Sequence, residues 1–256
     1  MNSKLVWKIV GTVVAVPMLV FFATQTASAL AHSKRTVSLN VPVAGITALD
    51  VDNNAGRVRI VGVEDATEIR VRARIDDGWR ETGHSVTTEG GVLKVHGSCP
   101  NFGSNFCNVR YTIEVPTTLP VSVRAEGSIE VTDVEAGVEA STSDSTITLA
   151  RVDGDLVLRA SQGRITAGAI RSDTVVAHAN QGRISLVFAE SPSSVTAEAD
   201  QGSIEIVLPD DTVAFATDVS ADQGDVTDVV DRDLDSPRTI VAHADQGDVT
   251  LTYASS

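Results

Sequence analysis

The sequence predicts an all-β protein: a single-domain β-solenoid of stacked strand-turn-strand coils, each 18–23 residues long. Three observations predict it. A Gln-Gly corner recurs in "RASQGRIT", "HANQGRIS", "EADQGSIE", "SADQGDVT" and "HADQGDVT", at Gln162, Gln181, Gln201, Gln223 and Gln246. Residues on both sides of each corner alternate apolar and polar, as in Val175-Val176-Ala177-His178 before it and Ile184-Ser185-Leu186 after it. That is the period-2 pattern of half-buried strands. Finally, Val, Ile, Leu, Ala and Thr dominate while aromatics are only 4% of residues, a composition of strands and turns.

The five markers lie 19, 20, 22 and 23 residues apart, and weaker copies around Glu126 and Asp144 extend the series upstream in steps of 18. Such periods belong to solenoids, since a propeller blade needs about 40 residues. The corner glycines Gly163, Gly182, Gly202, Gly224 and Gly247 then supply positive φ or let stacked backbones approach. Residues 121–254 are the regular repeats, and "DVVDRDLDSPR" at 228–238 reads as a loop lengthening one coil. The last strand, "DVTLTY", is expected at the edge of the stack.

Residues 32–120 read as the first, irregular coils of the same body, with a corner at Gly56 and strands in "GGVLKVHG" and "VRYTIEVP". Cys99 and Cys107 sit close together in this region and are expected to form a disulfide loop. Chain entropy gives so short a loop about 2–3 kcal/mol, and the pairing suits an oxidising compartment. Residues 1–31 supply the route there. Lys4 and Lys8 precede an apolar run over 9–23 and then the small residues of "TQTASALA", the layout of a signal peptide. An N-terminal membrane anchor is the other reading, with membrane contact through residues 5–31. Either places the remaining chain outside the cytoplasm, secreted or tethered at the cell envelope.

Charge excludes one class of partner. The net charge is −14, with 10 Lys/Arg against 10 Asp/Glu in residues 32–120 and 8 against 24 in residues 121–256. Such a field repels polyanions, nucleic acid and anionic lipid headgroups alike. Stacking coils in register would also gather Asp222, Asp225, Asp245 and Asp248 at one corner. Opposed like charges are destabilising, and calcium, which takes hard oxygen ligands, would offset them. Calcium is the one candidate cofactor. The nearby "DRDLDS" fails as an EF-hand loop, because Ser236 and Ala242 stand where Gly and Glu are needed. His178 and His243 share a column, three coils or roughly 14 Å apart at the stacking rise, too far to share a metal.

"LDVDNNAGRVRIVGVEDATEIRVRAR", then "YTIEVPTTLPVSVRAEGSIEVTDVEAGVEASTSDSTITL", then the Gln-Gly coils resemble the bacterial "putative adhesin" (toastrack-like) family of β-strand-repeat domains of unknown function. The resemblance covers residues 37–254 and rests on Gly-centred corners and a Val-Pro segment before the repeats. It implies a β-solenoid on an exported or membrane-tethered protein linked to the envelope and its stress responses, and it brings no catalytic residues. The residues themselves offer no G-x-S-x-G, no H-E-x-x-H and no phosphate-binding glycine loop. The expected function is thus a non-enzymatic, adhesin-like binding scaffold for an envelope or surface protein or polysaccharide. A membrane-anchored sensory ectodomain is the alternative. A carbohydrate-active enzyme, the third reading, would need groove-facing carboxylates flanked by long loops.

Overall fold

The computed structural model describes residues 33–78, 81–100, 107–211 and 213–254. The signal or anchor expected over residues 1–31 lies outside them. The fold is all-β: 21 strands form two mixed sheets, and no helix occurs among the described residues.

The N-terminal region runs through β1 (Ser33–Pro42), β2 (Ala48–Asn53), β3 (Val58–Val63), β4 (Glu68–Asp77), β5 (Gly83–Glu89), β6 (Val92–Ser98) and β7 (Asn108–Pro116). Antiparallel pairing enters here. β4 pairs antiparallel with both β1 and β7, and β5 pairs antiparallel with β6. Between β5 and β6 the chain reverses at Gly90 and Gly91, at φ +58° and +84°. Two successive positive φ values make a hairpin turn whose twist matches its strands, so the chain turns back instead of rising to a new coil. A disulfide joins Cys99 and Cys107 between β6 and β7, with Cα atoms 5.7 Å apart.

Regular alternation then begins. β8 (Val121–Ala125), β10 (Val138–Thr142), β12 (Leu156–Gln162), β14 (Thr174–Gln181) and β16 (Ser194–Gln201) pair in parallel in one sheet, here sheet B. β9 (Ile129–Val134), β11 (Ile147–Val152), β13 (Ile165–Ile170), β15 (Ile184–Phe188) and β17 (Ile204–Leu208) do the same in the other, sheet A. Between the sheets lies one hydrophobic core, reaching from Leu49 to Leu251. Its inward rows are unequal. Sheet A contributes large residues such as Ile165, Leu186 and Ile206, whereas sheet B contributes Ala160, Ala177, Ala179, Ala197 and Ala199.

The end of the stack departs from chain order. β18 (Ala216–Gln223), β19 (Val226–Asp228), β20 (Thr239–Gln246) and β21 (Val249–Tyr253) complete the chain, but the sheets run β16-β20-β18 and β17-β21-β19. β20 and β21 are inserted between the strands that precede them in the chain, so "DVTLTY" is interior and the three-residue β19 takes the edge. Side chains explain the exchange. Ile240, Ala242, Ala244, Val249 and Leu251 of the last coil are fully buried. At the matching positions, Thr217 stands beside Ile240 and Asp228 beside Leu251. Thr217 donates its hydroxyl to Asp228 Oδ2 at 3.1 Å, so the polar pair satisfies itself at the open end.

Candidate functional site

The Gln-Gly corners stack as ladders of backbone. Gly182 N donates to Gln201 O at 2.8 Å, Gly202 N to Gln246 O at 2.7 Å and Gly247 N to Gln223 O at 2.9 Å. Gly182 and Gly202 lie at φ +145° and +148°. A Cβ on Gly182 would overlap the carbonyl oxygen of Gly163, and one on Gly202 that of Gly182. Gly163, Gly224 and Gly247 press in the same way on the backbone of Ser145, Gly247 and Gly202. Positive φ and close approach act together.

These ladders reorder the acidic corner. Register places Asp200, Asp245 and Asp222 in one row, with Asp245 in the middle, and Asp248 beside Asp225 in another. The four carboxylates expected together divide. Among the described residues the converging group is Asp222, His243 and Asp245, whose ligand atoms lie within 4.8 Å of one another. His243 Nε2 is 2.9 Å from Asp245 Oδ1, and its Nδ1 is 2.8 Å from Ser220 Oγ. Asp248 Oδ1 accepts the Asp225 backbone N–H at 2.9 Å. Asp245 and Asp248 thus each have a hydrogen-bond partner within the protein. Calcium needs six to eight oxygens, and two carboxylates with an engaged imidazole are a poor set for it. In "DRDLDS", Asp233 Oδ1 accepts the Asp235 N–H at 3.0 Å, a turn contact of the kind that Asp side chains make.

The outer face of sheet B carries rows across many strands. One reads His96, Asp52, Arg124, Ser141, Arg159, His178, Glu198, His243 and Ser220. His178 and His243 are separated by Glu198 alone, about 10 Å at the strand spacing rather than 14. Arg159 lies 3.4 Å from Glu139 of the neighbouring row, and His178 lies 3.6 Å from Glu198 in this one. Over β2, β8, β10 and β12 the face dips into an open groove of about 570 Å³, lined by Asp50, Ser122, Arg124, Glu139, Pro120 and Val157 among others.

Sheet A presents a cluster that periodicity alone does not reveal. Register sets Arg74 of β4 beside Arg110 of β7, with Arg57 just ahead of β3 on the other side, and Arg72 and Arg59 flank Thr112 in the next row. All five point outward and are exposed. The signal lies in "GRVRI", "IRVRAR" and "NVRYT", where Arg takes the outward strand positions. Knowing that β7 lies between β3 and β4 is what joins them.

No protein-family model matches the sequence, and no curated protein does. Solved structures do resemble the chain. A "putative adhesin" of Bacteroides fragilis is 16% identical, with a TM-score of 0.44 over 87% of this chain and 98% of that one. A "putative cell adhesion protein" of Clostridium sporogenes is 11% identical, with a TM-score of 0.37 over 87% of this chain and 100% of that one. A "putative lipid binding protein" of Parabacteroides distasonis is 10% identical, with a TM-score of 0.32 over 87% and 97%.

Proposed function

We propose that this chain is a non-enzymatic binding scaffold of the bacterial cell envelope, a β-solenoid that offers the sheet B groove to an extended polymer. The observation that supports this reading is the groove itself. It crosses four adjacent strands, and it mixes apolar Pro120 and Val157 with charged Asp50, Arg124 and Glu139. Such a lining suits a long ligand with hydrogen-bonding groups along one edge and apolar surface along the other. A polysaccharide of the wall has that character, as does an extended protein segment. The Cys99–Cys107 disulfide supports an oxidising location.

Sedimentation of the full chain with isolated cell walls tests the reading. Saturable retention without release of soluble fragments is expected, falling at least tenfold with Arg124→Ala and Glu139→Ala together. Released fragments would replace binding with hydrolysis, and retention unmoved by the variant would remove the groove from the account. The sensory ectodomain reading has its own support in the apolar run over residues 9–23, which leads into β1. Finding residues 1–31 at the N-terminus of the mature protein would favour it.

A further inference from the structure

On a chain of net charge −14, five arginines surround one open groove on sheet A. Arg57, Arg59, Arg72, Arg74 and Arg110 line about 340 Å³ together with Tyr111, Thr112 and Glu130. Three of them are partly satisfied. Arg110 lies 2.7 Å from Asp76 and Arg59 3.5 Å from Glu130, while Arg57 donates to Ser128 Oγ at 2.8 Å. Arg72 and Arg74 make no ion pair among the described residues. Arg74 nevertheless stands directly across from Arg110, an arrangement of like charges that costs stability. A guanidinium is a planar fork of donors that matches phosphate oxygens two at a time. Two free forks beside three half-engaged ones form a site for phosphate groups.

The place of this groove in the chain points to its occupant. Arg72 and Arg74 lie opposite Ser38 and Thr36 of β1, the edge strand of sheet A. β1 begins at Ser33, ten residues after the apolar run over 9–23 ends. In a tethered protein the arginine face is thus close to the bilayer in sequence, and the acidic corners lie at the far end of the stack. We propose that the groove binds the phosphates of anionic lipid headgroups and docks the N-terminal end of the body on the membrane surface. Basic residues at a surface of anionic lipid attract it within a Debye length. This surface is separate from the sheet B groove, so either proposal can fail alone.

Co-sedimentation of the full chain with vesicles tests it, comparing phosphatidylcholine alone with an equimolar mixture of phosphatidylcholine and phosphatidylglycerol. Binding through the apolar N-terminal run would not distinguish the two. A preference for the anionic vesicles is expected, declining with salt. Arg72→Ala with Arg74→Ala should lower that affinity by roughly tenfold to thirtyfold and leave phosphatidylcholine binding unchanged. Arg164→Ala with Arg183→Ala removes equal charge elsewhere and should keep the preference. Both pairs are exposed, and a thermal melt confirms that they fold. Equal binding to both vesicles, or a preference that survives loss of Arg72 and Arg74, overturns the proposal. So does inorganic phosphate binding at these arginines without any vesicle preference, which would make the groove a free-phosphate site.

Discussion

At the scale of single residues, glycine decides whether coils can stack. Gly182 combines φ +145° with a Cβ position already occupied by the Gly163 carbonyl oxygen. Replacing it should push adjacent corners apart and break the hydrogen bond from Gly182 N to Gln201 O. Gly168, within β13, is the contrast: nothing lies near its Cβ position. Gly182→Ala is expected to cost about 3 kcal/mol or more, and Gly168→Ala to be neutral or stabilising by roughly 0.5 kcal/mol. Urea titrations of both would show it. Equal midpoints for the two variants would mean that the ladder relaxes without penalty. The need for glycine was legible in the repeat, because five corners share it. The need for His243 beside Asp222 and Asp245 was not legible. Consecutive repeats already put Asp222 beside Asp245; what their spacing does not encode is the side-chain contact of His243 with Asp245, two residues on along β20, at 2.9 Å.

Between elements, one hydrogen-bonded chain ties the irregular strands of both sheets. Tyr111 of β7, fully buried, gives its hydroxyl proton to the His96 carbonyl of β6 at 2.9 Å, and His84 Nδ1 of β5 lies 2.8 Å from the same hydroxyl. A phenol has one proton to donate, so His84 supplies the second hydrogen bond from Nδ1. Burial raises the Tyr111 pKa, keeping the phenol protonated. Burial first, and the charge of Arg35 second, hold His84 below its ordinary 6.5. The unfolded chain therefore binds the proton at higher pH than the folded one. Stability from neutral His84 is complete above about 6.5 and lost as pH falls from there toward the lowered folded value. Melting temperatures between pH 8 and pH 5 should decline more steeply for the native chain than for His84→Gln. Parallel profiles would show that His84 takes up its proton without cost. None of this could be read from the sequence, where His84 and His96 have no visible partner; β5 and β6 had first to be known as a hairpin packed over β7.

For the whole molecule, periodicity reported the all-β character well, and the order of the strands in the two sheets less well. The alternation of residues announces strands because each one shows a face to the core. Which coil lies above which is decided by how much apolar surface each offers, a comparison between coils rather than within one. Here the comparison was available. Thr217 and Asp228 stand at the positions where the last two strands have Ile240 and Leu251; Asp228 is exposed and caps the buried Thr217 hydroxyl, an arrangement that the end of the sheets allows. The exchanged order predicts an inverted profile of local stability. In native-state hydrogen exchange, amides of β20 and β21 should be protected nearly to the global limit although they close the chain, while β18 and β19 exchange earlier by sub-global opening. Truncation after Arg238 would remove the partners of β18 and β19, so residues 213–238 should lose protection together with the deleted coil. If β20 and β21 exchange first and the truncated chain keeps β18 and β19 protected, then coils stack in chain order in solution. The burial of Ile240 and Leu251 would then need another cause.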